Sequence, residues 1–198
     1  MSTPTLIGPA ARFHRTLTAK CARHITSGLP LRLFFSGEPG TGKSTVAALL
    51  ARQLARHELG IQKINGADVG AETVREWGQG AFHGSSMFSD WRVLIIEEAD
   101  RVSAQAQVLM LTLLDDLPNQ RAVICTSNLA TQDLTARFQT RFQLWEFKGP
   151  TVGEIESHLV CSHPSVHRDV LTRIATASNG NVRQALLDAE SAADAAAA

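Results

Sequence analysis

The amino-acid sequence predicts an α/β fold in which helices cover a parallel β-sheet, with a small helical region at its end. Short apolar runs alternate with amphipathic helical patterns through most of the 198 residues. One of these runs, RVLII at 92–96, lacks the apolar-polar alternation of a half-exposed strand, which indicates a strand buried on both faces. After Gly149 and Pro150 only helical patterns follow. These three observations favour one domain of ordinary size with a helical appendage.

The first half of the chain predicts three helices and two strands. Apolar residues spaced by four, followed by Gly28, predict a helix over residues 10–27. The run LRLFFS predicts a strand, and an Ala- and Leu-rich stretch ending before a glycine predicts a helix. The elements after the first helix are a strand at 31–36, a helix at 43–59, a strand at 61–65 and a helix at 71–77.

The middle of the chain predicts three more strands. Residues 78–90 are rich in Gly, Ser and His and are expected to form a mobile connection. The run RVLII predicts a strand buried on both faces. The elements that follow the connection are a strand at 92–96, a helix at 103–114, a strand at 121–126, a helix at 133–138 and a strand at 143–147.

The remainder of the chain is predicted to be helical. Thr151 and Glu154 have the spacing of a capping box, which marks a helix start. Helices are expected over 152–161, 165–178 and 181–195. The sequence therefore predicts two domains, an α/β domain of residues 1–149 and a helical domain of residues 150–198.

Composition excludes several classes of protein. Nineteen Lys and Arg balance nineteen Asp and Glu, which argues against a small basic protein that binds nucleic acid through its overall field. The three cysteines are far apart, which argues against a disulfide framework or a cysteine zinc site and predicts buried, reduced thiols. No apolar run approaches about 18 residues and the start lacks signal-peptide features, so we expect a soluble, cytoplasmic protein.

A phosphate-binding motif follows the first predicted strand. Residues 37–44, Gly-Glu-Pro-Gly-Thr-Gly-Lys-Ser, match the pattern G-x-x-x-x-G-K-[ST]. Glycines let the backbone turn so that successive N–H groups point at phosphate oxygens, and the next helix directs its dipole at the same anion. Lys43 is expected to reach the β- and γ-phosphates, and the Ser44 hydroxyl to bind Mg²⁺. The motif predicts nucleotide binding.

Two acidic residues, Glu97 and Glu98, end the third predicted strand within the sequence VLIIEEAD. Carboxylates in this position can hold a metal ion with one group and orient a water molecule with the other. The phosphate motif upstream supplies the metal ion that needs such ligands. We therefore interpret the pair as functional rather than as the solvated start of a loop.

Five motifs that occur in order resemble those of the AAA+ ATPases, and the replication factor C small subunits and other clamp loaders are most similar among them. The motifs are GEPGTGKST at 37–45, VLIIEEAD at 93–100, ICTSN at 124–128, TRF at 140–142 and GNVRQAL at 180–186.

The resemblance extends beyond these motifs and covers about residues 6–195. Residues 64–70 and 74–76 resemble the loader segment around the second strand. Residues 6–8, with the helix that ends at 27–30, resemble the segment that packs against adenine. The resemblance implies a P-loop AAA+ fold, with a five-stranded parallel sheet flanked by helices and a small C-terminal helical lid.

The resemblance also implies a role for individual residues. The ATP-binding residues would be Gly37, Glu38, Pro39, Gly40, Thr41, Gly42, Lys43, Ser44 and Thr45. Ser44 and Glu97 would hold Mg²⁺. Among the catalytic residues, Glu98 would polarise the attacking water, and Asn128 would contact the γ-phosphate or that water. The other two catalytic residues would be Arg141 and Arg183.

The two arginines would act on different nucleotides. Arg141 would be an arginine finger presented to a neighbouring subunit, whereas Arg183 in the lid would touch the nucleotide of its own subunit. Arg137 competes with Arg141 for the first role, because Ala-Arg-Phe and Thr-Arg-Phe nearly repeat.

Three departures from the family pattern bear on function. Glu97 stands where the family has Asp, so hydrolysis is expected less firmly than binding. The helical collar that oligomerises clamp loaders has no counterpart, so we expect either a shortened chain or another mode of assembly. The cysteines of the zinc module found in some bacterial loaders are also lacking.

These observations favour an ATP-hydrolysing subunit of a ring-like, clamp-loader-type assembly in DNA replication or repair. Its expected partners are other AAA+ subunits, a sliding clamp or another DNA-associated protein, and DNA contacted through its backbone. Two alternatives stay open: a nucleotide-binding structural subunit with little hydrolysis of its own, and an ATP-dependent adaptor in helicase loading or transposition. The sequence gives little indication of direct DNA contact, because the predicted helix at 103–116 has no Lys or Arg and aromatic residues do not alternate with basic ones.

Overall fold

Five strands form one parallel sheet. The structure, a computed structural model, describes residues 5–81, 89–128 and 134–197. The strands are β1 (Leu31–Gly37), β2 (Ile61–Asn65), β3 (Arg92–Glu97), β4 (Arg121–Thr126) and β5 (Gln143–Phe147). Their order in the sheet is β2-β3-β4-β1-β5. All five strand predictions are confirmed to within one residue at either end.

Eight α-helices accompany the sheet in the described residues. They are α1 (Gly8–Ser27), α2 (Lys43–Ala55), α3 (Ala71–Glu76), α4 (Ala104–Asp115), α5 (Ala136–Gln139), α6 (Val152–Ser162), α7 (Arg168–Ala177) and α8 (Val182–Ala197). The capping box at the start of α6 is confirmed, since Thr151 accepts a hydrogen bond from the backbone of Glu154 and the Glu154 side chain accepts one from the backbone of Thr151.

Among the helices predicted wholly within the described residues, two boundaries differ from prediction by three or more residues, for identifiable reasons. Helix α2 ends at Ala55 rather than at residue 59, because Arg56 has a φ of 59° and the His57 side chain caps a separate turn, Glu58–Gly60. Helix α7 begins at Arg168 rather than at 165, because the His167 side chain accepts a hydrogen bond from the backbone N–H of Asp169 and so caps the helix there.

Two other predictions fall partly on residues that the structure leaves undescribed. Of the predicted helix at 133–138, position 133 lies outside the described residues and the helical part is Ala136–Gln139. Of the predicted connection at 78–90, residues 82–88 lie outside them, and a wide helical turn, Trp77–Ala81, begins it.

The chain divides into two compact units. The sheet unit comprises His14–Gly37 and Ser44–Glu146, and the lid unit comprises Met1–Phe13, Glu38–Lys43 and Phe147–Ala198. One buried cluster of the sheet unit packs α3, α4 and α5 against one face of the sheet, and its largest members include Phe34, Trp77, Leu94, Met110 and Phe138.

The lid unit has a separate core made by α6, α7 and α8. Its buried residues are Ile155, Leu159, Val166, Leu171, Ala175, Ala185 and Ala189, and Ile7 packs against them. Three of the seven are alanines, which let helices approach closely.

The strand register fixes which ends of the strands lie together. Leu31 pairs with Ala122 and Ile61 with Val93, both in parallel ladders, and every residue of β4 is buried. Parallel pairing places the carboxyl ends of β1, β2, β3 and β4 along one edge of the sheet, and ligands of open α/β sheets bind at this edge.

The cysteines only partly match the prediction of buried thiols. Cys21 and Cys125 are buried, and burial raises the pKa of the Cys21 thiol to about 12. Cys161 is exposed, because Ile155 and Leu159 occupy the core-facing side of α6. Within the described residues, no helix combines the length and apolar character needed to cross a membrane.

Candidate functional site

The phosphate-binding motif forms the loop between β1 and α2. Gly40 and Gly42 have φ values of 76° and 93°, the left-handed region that glycine adopts without strain. The Lys43 ammonium donates a hydrogen bond of 2.7 Å to the carbonyl of Glu38, and the Thr41 hydroxyl donates one of 2.9 Å to the same oxygen. Lys43 is 5% exposed, so its charge is directed into the loop rather than into solvent.

The start of the last lid helix packs against this loop within the lid unit. The backbone N–H of Val182 donates a hydrogen bond of 3.2 Å to the carbonyl of Gly40. The Asn181 side chain fills the space that a Cβ at Gly40 would need, and its Oδ1 accepts from the backbone of Gln184 at 3.2 Å. The Asn181 side chain therefore both caps α8 and contacts the phosphate loop. Arg183, the next residue but one, is exposed.

The N-terminal segment lies on another side of the same loop. A Cβ built at Gly42 would lie 3.1 Å from the Cβ of Ala10 and 3.8 Å from a methyl group of Leu6. Gly8 has a φ of 54°, and a Cβ there would lie 2.7 Å from the Cβ of Pro150. The segment with the predicted adenine-packing residues thus lies beside the phosphate loop, in an arrangement that two glycines permit.

The loop fits the phosphates of a nucleotide. Its glycines hold the backbone in the conformation of an anion-binding nest, and a buried ammonium faces an oxygen of the loop. Ser44 follows in the first turn of α2 and is half-buried, so its hydroxyl offers the oxygen ligand that Mg²⁺ prefers.

Glu97 and Glu98 lie at the carboxyl edge of the sheet, where β3 ends. Glu97 is the last residue of β3, and its carboxylate forms an ion pair of 2.8 Å with Lys63 of β2. Glu98 follows in the left-handed conformation, with φ 52° and ψ 49°. A residue with a side chain rarely adopts this conformation, and such strain is concentrated at functional sites.

The backbone after β2 approaches the Glu98 peptide closely. A Cβ at Gly66 would collide with the carbonyl oxygen of Glu98. Only glycine fits at position 66, because the turn after β2 packs directly on the Glu98 peptide.

The Glu98 carboxylate is held by two neighbours. Arg101 donates a hydrogen bond of 2.9 Å and the Asn65 amide one of 3.1 Å, both to Oε2. These bonds, first that of Arg101 and then that of Asn65, lower the pKa of Glu98 below its usual value. Oε1 makes no hydrogen bond within the described residues. The side chain is therefore an oriented, ionised carboxylate with one oxygen available.

Asp100 and Ser127 connect the ends of β3 and β4. The Ser127 hydroxyl donates a hydrogen bond of 2.7 Å to the Asp100 carboxylate. Asn128, the predicted contact to the γ-phosphate, follows at the same edge and is exposed. The sheet unit thus brings Glu97, Glu98 and Asn128 to one edge.

Arg141 lies at the other edge of the sheet, because it precedes β5. Its guanidinium is not free, since Nε and Nη2 donate to the two oxygens of Asp115 at 3.1 and 2.8 Å. Arg137, the competing candidate, is exposed, and its side chain forms no ion pair with the described part of the chain.

Sequence reasoning missed three residues that position the candidate site: Asn65, Arg101 and Asn181. Asn65 had a readable signal, since it ends a strand at the carboxyl edge beside the acidic pair. Arg101 had one in its spacing of three from Glu98. The contact of Asn181 with the loop depends on tertiary structure and had no local signal.

Comparison with known families gives two matches. The family described as "ATPase family associated with various cellular activities (AAA)" matches residues 33–149, more than half of the chain. The "RCF1/5-like, AAA+ ATPase lid domain" matches residues 164–193.

Curated relatives include replication factor C subunits at low identity. Subunit 4 of Encephalitozoon cuniculi is 31% identical over 101 residues, which cover 50% of this chain and 33% of the relative. The small subunit of Haloarcula marismortui is 23% identical over 184 residues, covering 87% of this chain and 55% of the relative. The matched regions of this chain correspond to between a third and about half of the length of these relatives.

Solved structures share the fold. The RuvB Holliday junction branch migration motor of Thermotoga maritima has a TM-score of 0.73 at 18% identity, over 95% of this chain and 64% of that chain. A DNA polymerase III gamma subunit-related protein of Thermotoga maritima has a TM-score of 0.69 at 14% identity, over 92% and 59%. These likenesses are evidence for the fold alone. From the family match over residues 33–149, the chain belongs to the AAA family of ATPases.

Proposed function

We propose that this chain is an ATP-binding and ATP-hydrolysing subunit of a ring-like, clamp-loader-type assembly that acts in DNA replication or repair. The observation that carries the proposal is the state of Glu98, an ionised carboxylate with Oε2 held by Asn65 and Arg101 and Oε1 available. A general base needs this combination of fixed orientation and a free oxygen. The similarity to replication factor C small subunits supports the choice of assembly.

In the proposed mechanism, each residue of the candidate site has one role. Lys43 and the N–H groups of the loop bind the phosphates, with Gly37 to Thr45 forming the binding segment. Mg²⁺, held by Ser44 and Glu97, would neutralise charge on the phosphate oxygens. Glu98 accepts a proton from the attacking water while Asn128 orients it or the γ-phosphate. Arg183 contacts the nucleotide of its own subunit, and Arg141 stabilises the transition state in a neighbour.

The proposal divides the chain at Gly149 and Pro150, into a nucleotide-binding domain of residues 1–149 and a lid of residues 150–198. The end of the AAA match at residue 149 supports this boundary. Other AAA+ subunits, a sliding clamp or another DNA-associated protein, and the DNA backbone are the proposed partners, in the cytoplasm.

A second candidate function is a structural subunit that binds ATP and hydrolyses little. The ion pair of 2.8 Å between Glu97 and Lys63 favours it, because a carboxylate engaged by an ammonium is a weaker metal ligand. Measurement of ATP affinity and turnover on the same preparation separates the two functions.

The proposal is tested by mixing two inactive variants. Arg141→Ala retains a nucleotide site and lacks the finger, whereas Lys43→Ala retains the finger and lacks tight nucleotide binding. If Arg141 acts on the neighbouring subunit, the mixture recovers part of the wild-type turnover, and wild-type turnover rises steeply with protein concentration. Arg137→Ala is the matched control and retains activity. Failure to recover in an assembly with demonstrated subunit exchange would contradict a finger supplied by Arg141.

A further inference from the structure

Asp115 interacts with two arginines at the amino-terminal edge of the sheet, Arg141 through hydrogen bonds and Arg32 through its charge. It is the last residue of α4, and its two oxygens accept hydrogen bonds of 3.1 and 2.8 Å from Nε and Nη2 of Arg141. Arg141 is fixed further by a bond of 2.9 Å from Nη1 to the carbonyl of Arg137. A bidentate pair of this kind defines the direction of the guanidinium as well as its position.

The second arginine is Arg32, in β1. Arg32 and Phe34 are two residues apart in β1, so their side chains lie on the same face of the sheet. Phe34 belongs to the core on the side of the sheet that α4 covers. The positive charge of Arg32 acts on Asp115 and, after the effect of Arg141, contributes to lowering the pKa of that carboxyl. Nε of Arg32 is buried and has no hydrogen-bond partner among the described residues.

This arrangement leaves one carboxylate for two guanidinium groups. Arg141 takes both oxygens of Asp115, and a buried donor of Arg32 is left unsatisfied, which is a rare and unfavourable state for a polar atom. If Arg141 leaves, Asp115 does not become an isolated anion, because the positive charge of Arg32 still acts on it. The pair can therefore exchange partners without leaving a carboxylate uncompensated.

We propose that Asp115 is a latch that holds Arg141 within its own subunit until a neighbouring nucleotide takes the arginine, and that Arg32 then receives the released carboxylate. Asp115 and Arg32 are positioning residues that act through Arg141. This inference rests on the proposed role of Arg141 towards a neighbouring subunit.

The first test measures Arg141 directly and needs no assembly. The wild type and variants react with p-hydroxyphenylglyoxal, and mass spectrometry compares modification of Arg141 with that of the exposed Arg137. Asp115→Asn should raise the relative rate at Arg141 roughly two- to fivefold, the range expected for a partly exposed ion pair. Asp115→Glu, which keeps the charge, should restore slow reaction. An unchanged rate in Asp115→Asn would overturn the latch.

The second test measures the protein concentration that gives half-maximal ATP turnover. Asp115→Asn should lower it roughly two- to fivefold at an unchanged plateau, because the arginine no longer has to be released. Arg32→Gln should raise it, since the released carboxylate lacks its second partner. In the Asp115→Asn background, Arg32→Gln should have no further effect, because the carboxylate on which Arg32 acts is gone. The opposite directions of the two single-variant effects are what a merely structural role of these residues would not produce.

The outcomes separate this inference from the proposed function. A plateau that falls in Asp115→Asn, with an unchanged melting temperature, would show that Asp115 supports Arg141 in its working position and would overturn the latch. Wild-type turnover that does not depend on concentration would contradict the proposed function, and the relative modification rate of Arg141 would still decide whether Asp115 holds it.

Discussion

The side-chain amide of Asn65 donates a hydrogen bond of 3.1 Å to Oε2 of Glu98 and thereby ties the end of β2 to the residue after β3. The contact follows from register, since Asn65 pairs with Glu97 across the two strands. Gly66 then allows the next turn to pack on the Glu98 carbonyl. The orientation of the candidate base is thus set by a neighbouring strand as well as by its own.

Replacement of Gly66 should damage catalysis and spare nucleotide binding. In Gly66→Ala the new Cβ meets the Glu98 carbonyl, so the Glu98 peptide must shift and its carboxylate moves with it. A misplacement on the order of 1 Å can cost about 10²-fold in rate, and we expect turnover to fall roughly 10- to 100-fold. Single-turnover kinetics and an ATP titration separate the two effects.

Gly70→Ala is the matched control. Gly70 has a negative φ of −93°, and a Cβ there meets nothing within 4 Å. This variant should retain wild-type turnover. Equal rates for the two variants would mean that the Glu98 peptide tolerates displacement, against the role assigned to its position.

Loss of Arg101 should move the acid limb of the pH–rate profile. Its hydrogen bond is the first cause of the lowered pKa of Glu98, so Glu98 stays ionised to a lower pH than an ordinary glutamate. A base acts when deprotonated, and activity should decline as pH falls through that lowered pKa. In Arg101→Gln the pKa rises towards its usual value, and the acid limb should move to higher pH in a plot of turnover against pH.

Arg75→Gln is a control of the same geometry. Arg75 pairs with Glu72 at 3.2 Å with the same spacing of three residues, on an exposed helix surface. Its profile should coincide with that of the wild type. An unshifted acid limb in Arg101→Gln would mean that Glu98 ionisation does not govern turnover.

Removal of the loop ammonium should weaken ATP binding. Lys43→Ala deletes a buried charge that donates to the loop at 2.7 Å. Hydrogen bonds to charged groups suggest a loss of roughly 10- to 150-fold in affinity, measured by titration with a fluorescent nucleotide. Lys148→Ala, at an exposed position, should bind normally. Undiminished affinity in Lys43→Ala would contradict the proposal that Lys43 binds the phosphates of ATP.

The two acids should respond differently to substitution. Glu98→Gln should bind ATP and hydrolyse it roughly 10²- to 10⁴-fold more slowly, because the amide cannot take up the proton. Glu97→Asp should keep or raise turnover, since it retains a carboxylate on a shorter side chain. Rates and affinities are measured on the same preparations. Wild-type turnover in Glu98→Gln would show that the base is another group.

Sequence patterns predicted β1, β3 and β4 well because each is a short, nearly continuous apolar run. The phosphate loop was equally readable, since its glycines and lysine are contiguous. The partner of Arg141 could not be predicted from the sequence, because Asp115 is 26 positions away and the pair forms only when α4 packs beside α5 and the turn that follows it. The end of α2 was misplaced because the left-handed conformation of Arg56 has no clear local signal.

The strand order has a consequence for synthesis of the chain on the ribosome. β1 is made first, yet its neighbours in the sheet are β4 and β5, and Leu31 pairs with Ala122. While β2 and β3 can pair as soon as they emerge, Phe34 and Phe35 of β1, both fully buried in the finished sheet, have no neighbouring strand until residues 121–126 are released. Distant pairing of this kind folds slowly and exposes apolar surface in the meantime. Nascent chains arrested before β4 should therefore bind chaperones and resist proteases poorly, and protection should appear abruptly once β4 has cleared the exit tunnel.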